Sequence, residues 1–383
     1  MPAPRFVLPI GALWLVLSHP TLAQATAPDS LLFSSVTAGA THTCALTTKG
    51  RVYCWGSNGE GELGAGNRAD SPLPVAVAGA TRFLGIDAGT EFACGVATTG
   101  EAYCWGRNTT GALGNAATPR SLAPAPVTGG LLFRGVTAGA DHACGVADDG
   151  VAYCWGANAQ GQLGTGDTLP STRPLPVTGA LRFIALTAGD GHTCGIARDS
   201  LAYCWGTNRR GELGVGLRGE RRGPQAVARH YRWRSLSAGA HHTCGLTADR
   251  RPIVFCWGDN FHEQINPRRT PMSRGDPILW APTFVAQPFD LLGVSAGRWH
   301  SCLARGHSAT AVTCWGANFD FQLGRLVIGS FVQVSAGEAH TCALRRDGAV
   351  YCWGRNSAGQ LGDGTRFDEP RPVRVADSIP EPP

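Results

Sequence analysis

From residue 31 to residue 376 the apolar positions fall in short runs separated by Gly, Asn, Asp and Pro, with no 3.6-residue period. The runs are β-branched or aromatic, the pattern of strands. They recur in sets of four. The first set is Phe33 to Ala38, His42 to Leu46, Val52 to Trp55 and a Pro-rich stretch, Leu73 to Val77, matched two repeats on by Leu175 to Val177. Pro in the fourth run suits an edge strand, where a missing N–H leaves no ladder bond unmade. Between the third and fourth runs lies a Gly-x-Leu-Gly loop such as Gly61 to Gly64, whose Leu is expected to plug the layer between neighbouring units.

The sets are copies of one another. Aligned on Cys-Trp-Gly they give Trp55, Trp105, Trp155, Trp205, Trp257, Trp315 and Trp353, with spacings of 50, 50, 50, 52, 58 and 38. Upstream of each stand Ala-Gly, two residues, usually His, one residue, then Cys. Four-stranded units repeated near every fifty residues are propeller blades. The expected fold is all-β: a seven-bladed β-propeller over 31–376 with four-stranded antiparallel blades. The seven Trp are read as packing between blades.

Each copy carries two cysteines. Five pairs are ten residues apart: Cys44 with Cys54, Cys94 with Cys104, Cys144 with Cys154, Cys194 with Cys204, and Cys342 with Cys352. Two are twelve apart, Cys244 with Cys256 and Cys302 with Cys314. Directly opposed in a hairpin, Cys44 and Cys54 leave Thr48-Lys49-Gly50 as a turn with its left-handed residue last. Adding two residues to that loop keeps the register parity. Opposed antiparallel Cα atoms lie ~4.5–5.5 Å apart, within disulfide reach. One bridge per hairpin is therefore expected. Zinc sites would need pairs two to four residues apart, and there are none.

Composition and the first residues bear on compartment. Met1 to Arg5, an apolar run from Phe6 to Leu17 and a small-residue stretch ending at Ala23 have the layout of a secretory signal peptide. The run is too short to span a bilayer, so no stable membrane insertion is expected after cleavage. The division is a leader at 1–23, a linker at 24–30, the propeller, and a tail at 377–383. Fourteen Cys behind such a leader imply an oxidising place, periplasmic or extracellular. Net charge is +5, and Lys49 is the single lysine, so the basic residues are almost all Arg. That balance is not the polybasic signature of a nucleic-acid coat.

Six histidines share one repeat position: His42, His142, His192, His242, His300 and His340, with Phe92 in the remaining copy. Neighbouring sheets hold equivalent points ~10 Å apart, too far for two ligands of one metal. The expected role is an imidazole N–H tying the Ala-Gly turn to a backbone carbonyl. There is no Gly-x-Ser-x-Gly elbow, no phosphate-cradling loop and no His-Glu-x-x-His. No catalytic residue, cofactor or metal is assigned.

The repeat Ala-Gly-x-x-His-Thr-Cys-x-Leu, then Gly-x-Val-Tyr-Cys-Trp-Gly-x-Asn-x-x-Gly-Gln-Leu-Gly, resembles that of the regulator of chromosome condensation superfamily, over residues 31 to 376. The resemblance implies a seven-bladed propeller. The family's founder is a nuclear exchange factor for a small GTPase, and a secreted bacterial relative inhibits β-lactamases. The leader and the paired Cys make this chain similar to the secreted kind. Arg371 to Val375 repeats the fourth-strand pattern after the last Trp. The count allows seven in-register blades or a staggered ring in which that strand joins the first blade; the resemblance favours the stagger.

A specific partner needs a place where the symmetry breaks. Repeat five has Asn260 to Ile265 in place of the Gly-Gln-Leu-Gly loop, then an insert with Arg268, Arg269 and Trp280. Repeat six keeps Gln322-Leu323-Gly324 and then drops its Pro-rich strand. Nearby stand Tyr231, Arg232, Trp233 and Arg234, and the unrepeated aromatics Trp299, Phe319 and Phe321. Aromatic and Arg residues are enriched at binding hot spots, so these ten are the candidate binding residues. The expected function is a secreted or periplasmic, monomeric, non-enzymatic scaffold for another protein. The alternatives are a glycan-binding or adhesion module, a nucleotide-exchange regulator, and an inhibitor of a secreted enzyme.

Overall fold

The computed structural model describes residues 31–116, 119–265, 277–286, 290–306, 311–324 and 327–377. Twenty-eight strands, numbered β1 to β28 in chain order, form seven four-stranded sheets, and no helix occurs among the described residues. Blade one is β1 (Phe33–Ala38), β2 (His42–Thr47), β3 (Val52–Gly56) and β4 (Ser71–Ala76), antiparallel and in sequence order. The first strands line the axis and the fourth strands form the rim. The expected leader at 1–23, the expected linker at 24–30 and the expected tail from 378 onward lie outside the described residues.

Each blade holds one disulfide between directly paired residues of its second and third strands. Cys44 is bridged to Cys54, Cys94 to Cys104, Cys144 to Cys154, and Cys194 to Cys204. Cys244 is bridged to Cys256, Cys302 to Cys314, and Cys342 to Cys352. All seven follow the expected register, as in Cys94↔Cys104 and Cys144↔Cys154. The one difference is distance. The bridged Cα atoms are 4.1 Å apart, closer than the ~4.5–5.5 Å expected of opposed residues, because the bond draws the two strands together. The twelve-residue spacings pair as the ten-residue ones do, and in blade five the extra residues enlarge only the hairpin turn.

The Ala-Gly motif is explained at the axis. A Cβ on Gly39 would lie 2.6 Å from the carbonyl oxygen of Gly89, and one on Gly89 would lie 2.3 Å from that of Gly139. The relation passes round the ring and closes where a Cβ on Gly337 would meet the Gly39 oxygen at 2.5 Å. Only glycine allows seven backbones to approach the axis so closely. A second ring lies beside it. The Thr37 hydroxyl accepts from Ala88 N at 3.1 Å, Thr137 from Ala188 N at 3.1 Å, and Ser335 from Ala38 N at 2.9 Å. Asp87 takes the hydroxyl's place in blade two. It accepts from Ala138 N and Thr137 Oγ1 at 2.9 Å and from Thr37 Oγ1 at 3.0 Å. Burial raises its pKa despite these bonds.

Further out, each blade is stapled to the one before it. Trp55 Nε1 and Thr43 Oγ1 both donate to the carbonyl of Gln360, at 2.9 Å each. The same carbonyl position serves Trp205 and Thr193 (Gln162), Trp257 and Thr243 (Glu212), and Trp315 and Ser301 (Gln264). The adjacent Leu is buried against the next blade: Leu63 packs with Phe83 and Trp105.

The histidines complete this staple, and here the expectation of a backbone carbonyl partner is corrected. His142 Nε2 lies 2.9 Å from Thr193 Oγ1, His192 Nε2 2.9 Å from Thr243 Oγ1, and His242 Nε2 2.8 Å from Ser301 Oγ. Each hydroxyl proton is already donated to a carbonyl, so the imidazole is the Nε2–H tautomer and donates to the hydroxyl oxygen. The sequence reading looked within the blade, whereas the partner belongs to the next one. Blade two carries Phe92 and Ala93, so His42 has no hydroxyl to meet, and neither of its ring nitrogens is bonded among the described residues.

Ring closure is also corrected. β28 (Glu369–Arg374) pairs with blade seven's own third strand, not with blade one. The ring closes in register, because the backbone contact between blades seven and one reproduces the one between blades one and two. Phe33 N donates to Gly348 O at 2.9 Å, as Phe83 N does to Gly50 O at 2.8 Å, and Leu31 N donates to Asp377 O at 3.2 Å.

Repeats five and six depart from their sisters less than their sequences suggest. Asn260 to Ile265 keeps the loop fold: Ile265 fills the Leu site with no exposure, and Gln264 O accepts from Trp315 Nε1 at 2.9 Å. The rim strand of blade six is not wholly absent, but is cut to the two residues of β24 (Val327–Ile328).

Candidate binding face

One face of the ring is built from the Ala-Gly turns and the loops between third and fourth strands. The loop frame is fixed by its Asn. Asn58 Oδ1 accepts from Leu63 N at 3.0 Å, and Nδ2 donates to Asn67 O and Ala69 O at 3.0 Å. The Glu or Gln before the Leu turns its side chain back to the N–H two residues earlier, as Gln162 Oε1 does to Gln160 N at 3.0 Å and Glu212 Oε2 to Arg210 N at 2.8 Å. Such loops hold their form while the residues between Asn and Gly vary, so each blade presents different side chains from one rigid frame.

In blades five and six these side chains form an aromatic cluster. Trp299, from the Ala-Gly turn of blade six, lies 5.2 Å from His262 and 5.5 Å from His241, ring centre to ring centre. His262 meets Phe319 edge-on at 5.6 Å, and the Arg298 guanidinium stands 5.4 Å over Trp299. Phe319 is 74% exposed, and Phe261 and Phe321 are also exposed. Phe321 has φ 63°, at a place where five blades have Gly with φ between 80° and 91°. A bulky residue held there is strained, and such strain gathers at functional positions.

Beside the cluster is a cleft of about 580 Å³ whose lining includes Asp141, Gln160, Asp190, Arg210, Glu212 and His241. Burial pushes the Glu212 carboxyl up to about 6. Burial also raises Asp190, against the pull of Arg298 and His241, and lowers His241. Arg210 pairs with the buried Asp259. A second cleft of about 500 Å³ shares Arg209 with the first and is lined by Arg218, Glu220 and Trp280. Among the described residues no group of three His, Cys, Asp or Glu is placed to hold a metal ion.

The sequence candidates divide. Trp299, Phe319 and Phe321 are on this face. Trp280, in β20 (Ile278–Ala286), is beside it, with the Arg218 guanidinium 5.1 Å over its ring. Trp233 is corrected to a core residue: it opens β17 (Trp233–Ala238) where five blades have Phe and one has Leu291, is 2% exposed, and packs edge-on to Trp257 at 5.5 Å. Tyr231 stacks on Phe255 at 4.5 Å. Arg232 donates to Asp199 O at 3.0 Å, on the hairpin side of the ring, and Arg234 is exposed near the same end of β17. Continuity in sequence misled here: β16 (Arg221–Ala226) crosses the ring from one side to the other, so the Arg-rich segment is not one surface. Arg268 and Arg269 lie outside the described residues. His241, His262 and Arg298 were missed, although the two variable positions after each Ala-Gly, compared across seven copies, would have singled out Arg298 and Trp299.

Comparison with known proteins accords with this architecture. Human Probable E3 ubiquitin-protein ligase HERC6 is 36% identical over 151 residues, 33% of this chain and 14% of the relative. Human Probable E3 ubiquitin-protein ligase HERC3 is 40% identical over 100 residues, 22% of this chain and 9% of the relative. The matches thus span roughly a tenth of those relatives' length. Among solved structures, yeast RCC1 (Prp20) bound to Kap60 superposes with TM-score 0.75 at 17% identity, covering 98% of this chain and 92% of that one. The CRINKLY WD40 ectodomain of the Arabidopsis thaliana receptor kinase ACR4 gives TM-score 0.58 at 21% identity, covering 91% of this chain and 100% of the other. The RCC1-like domain family matches residues 16–329, and the regulator of chromosome condensation (RCC1) repeat matches 331–360 and again 347–380. With seven such repeats closed into one ring, the chain belongs to the RCC1-like domain family.

Proposed function

We propose that this chain is an exported, non-enzymatic propeller that binds another protein through the loop face of blades five and six. The observation that carries the reading is the exposed aromatic cluster of Trp299, His262 and Phe319, with strained Phe321 beside it. Exposed aromatics on a rigid frame, rimmed by Arg298 and Arg209, have the make-up of an interface core with a charged edge. Seven disulfides suit an oxidising environment. No helix among the described residues is long and apolar enough to cross a membrane. The ACR4 relative presents the same fold as an ectodomain.

The test is affinity capture from the native extracytoplasmic fraction with the leader-free chain, beside a double variant carrying Trp299→Ala and Phe319→Ala. A protein retained by the first and lost from the second supports the reading; equal recovery by both removes it. Adding a small GTPase loaded with fluorescent GDP tests the exchange reading. Accelerated release would favour that function instead.

A further inference from the structure

Six blades close their rim with a strand of one pattern, Pro-x-x-Val, beginning at Pro74, Pro124, Pro174, Pro224, Pro282 and Pro372. The residue after Pro pairs with the blade's second cysteine in each, as in Cys54↔Val75, Cys104↔Ala125, Cys154↔Leu175 and Cys352↔Val373. Blade six is different. Its chain runs from Gly324 to Val327 without the excursion that leads blade one from Gly64 to Val77. Val327 takes the Val77 place, paired with Val312 as Val77 is bonded to Val52. There the ladder ends. Among the described residues no strand pairs with Thr313 to Gly316 on the rim side of β23 (Ala311–Gly316).

The exposure of its cysteine marks this edge as open. Cys314 is only partly buried, whereas the second cysteines of the other six blades have 0% exposure. The loop of blade five that faces the gap carries a side chain where five other loops carry glycine. In five blades a glycine there is pressed against the next rim strand: a Cβ on Gly211 would lie 2.8 Å from Leu279 O, and one on Gly359 2.5 Å from Pro72 Cα. Facing blade six stands Glu263, with φ 62°. Phe321 stands at the same place in the loop of blade six, with φ 63°, facing the complete rim strand β28 of blade seven, so the cysteine and not this loop marks the edge.

The open edge has a direction and a chemistry. Val77 N donates to Val52 O at 3.0 Å, so Val52 points its carbonyl at the rim. By the two-residue period Cys54 and Gly56 do the same. Their counterparts Cys314 and Gly316 therefore turn N–H and C=O outward, with no strand among the described residues to meet them. We propose that this edge takes a proline-containing extended segment of a partner protein as the fourth strand of blade six. Proline suits the place because one side of a rim strand has no ladder, and all six sister strands use it. The segment ends short of Glu263 and abuts Val327, with the residue after its Pro opposite Cys314. This goes beyond the loop-face reading and concerns a different surface, so a short peptide tests it separately.

The probe is a labelled peptide of the chain's own residues 70–76, titrated by fluorescence anisotropy onto the whole leader-free protein without reductant. Saturable binding in the micromolar range is expected, together with slower hydrogen exchange at Cys314 and Gly316 and slower alkylation of Cys314 after mild reduction. A peptide carrying Pro74→Asp and Val75→Asp should bind at least tenfold more weakly. Restoring the strand, by placing a copy of residues 65–76 between Gly324 and Val327 with Glu263→Gly, should weaken peptide binding at least tenfold. The exchange measurement decides on the unaltered protein should that graft not fold. No binding at about 1 mM, exchange protection elsewhere, or full binding by a folded graft would overturn the proposal. So would a concentration-dependent dimer that the graft abolishes, since the edge would then belong to a second copy.

Discussion

The imidazole Nε2 of His340, in the last blade, lies 2.9 Å from the hydroxyl of Thr43, in the first. This bond joins the two ends of the chain, and it is the same bond that joins interior blades. Thr43 donates onward to Gln360 O, so His340 donates to Thr43. Thr43→Ala should leave a fully buried imidazole N–H unpaired and cost ~1–3 kcal/mol. Ala93→Thr should do the reverse, giving His42 the hydroxyl it lacks and adding up to ~1 kcal/mol. Denaturant unfolding of both variants under non-reducing conditions measures the pair. Equal stabilities would sink the account.

Acid sensitivity follows from the same histidines. Burial lowers His42 and His142 to about 4, and His192, His242, His300 and His340 to about 3. In the unfolded chain each has its ordinary value near 6.5. Below that pH the unfolded state binds protons that the folded state refuses. Stability is therefore full above pH ~6.5 and is lost as pH falls towards 3, by up to ~1.4 kcal/mol per pH unit for each histidine. The raised carboxyls Asp87 and Glu212 act with the opposite sign and offset part of the loss. Melting temperature measured from pH 7.5 to 4 should fall, and six His→Phe changes, after Phe92, should flatten it.

Glu212 occupies a site that is Gln in four blades, Gln162, Gln264, Gln322 and Gln360. Its carboxyl is pushed up to about 6, so its folded-state value lies above its unfolded one. The folded protein is penalised when the group is ionised, and the penalty fades as pH falls through 6. Glu212→Gln keeps the bond from Arg210 N. It should therefore stabilise by roughly 2 kcal/mol at pH 8 and by little at pH 4.5. A gain that does not change with pH would refute burial of charge as the cause.

Truncation after Asp368 removes β28 and Val375. Val375 is 2% exposed and packs with Trp55, Phe33 and Leu361 across the seam between blades seven and one. Losing this strand should cost several kcal/mol, of which Val375 alone accounts for ~1.5–3. The melting temperature should drop by many degrees. An unchanged value would mean that the seam needs no rim strand, as in blade six.

On the loop face, Phe319→Ala should leave melting unchanged, since the ring is mostly in solvent, while weakening partner capture about thirtyfold. Trp233→Ala should instead unfold the protein more readily, because that ring fills the core beside Trp257. Reversal of the two results would show that the assignment of faces is wrong.

Strand periodicity, the Cys-Trp-Gly repeat and the opposed cysteine register are local properties of the chain. They determined the seven blades, the four strands and the pairing of all fourteen cysteines, because a hairpin with a short turn has few registers. What lies between blades was not local. Whether His142 bonds a carbonyl or Thr193, whether the last strand joins blade one or blade seven, and why Gly39 cannot have a side chain are set by parts about fifty or three hundred residues away. The same holds for the binding face. Trp233 and Trp299 are both unrepeated tryptophans in the sequence. Only the path of each strand across the ring decides that one faces the core and the other the surface.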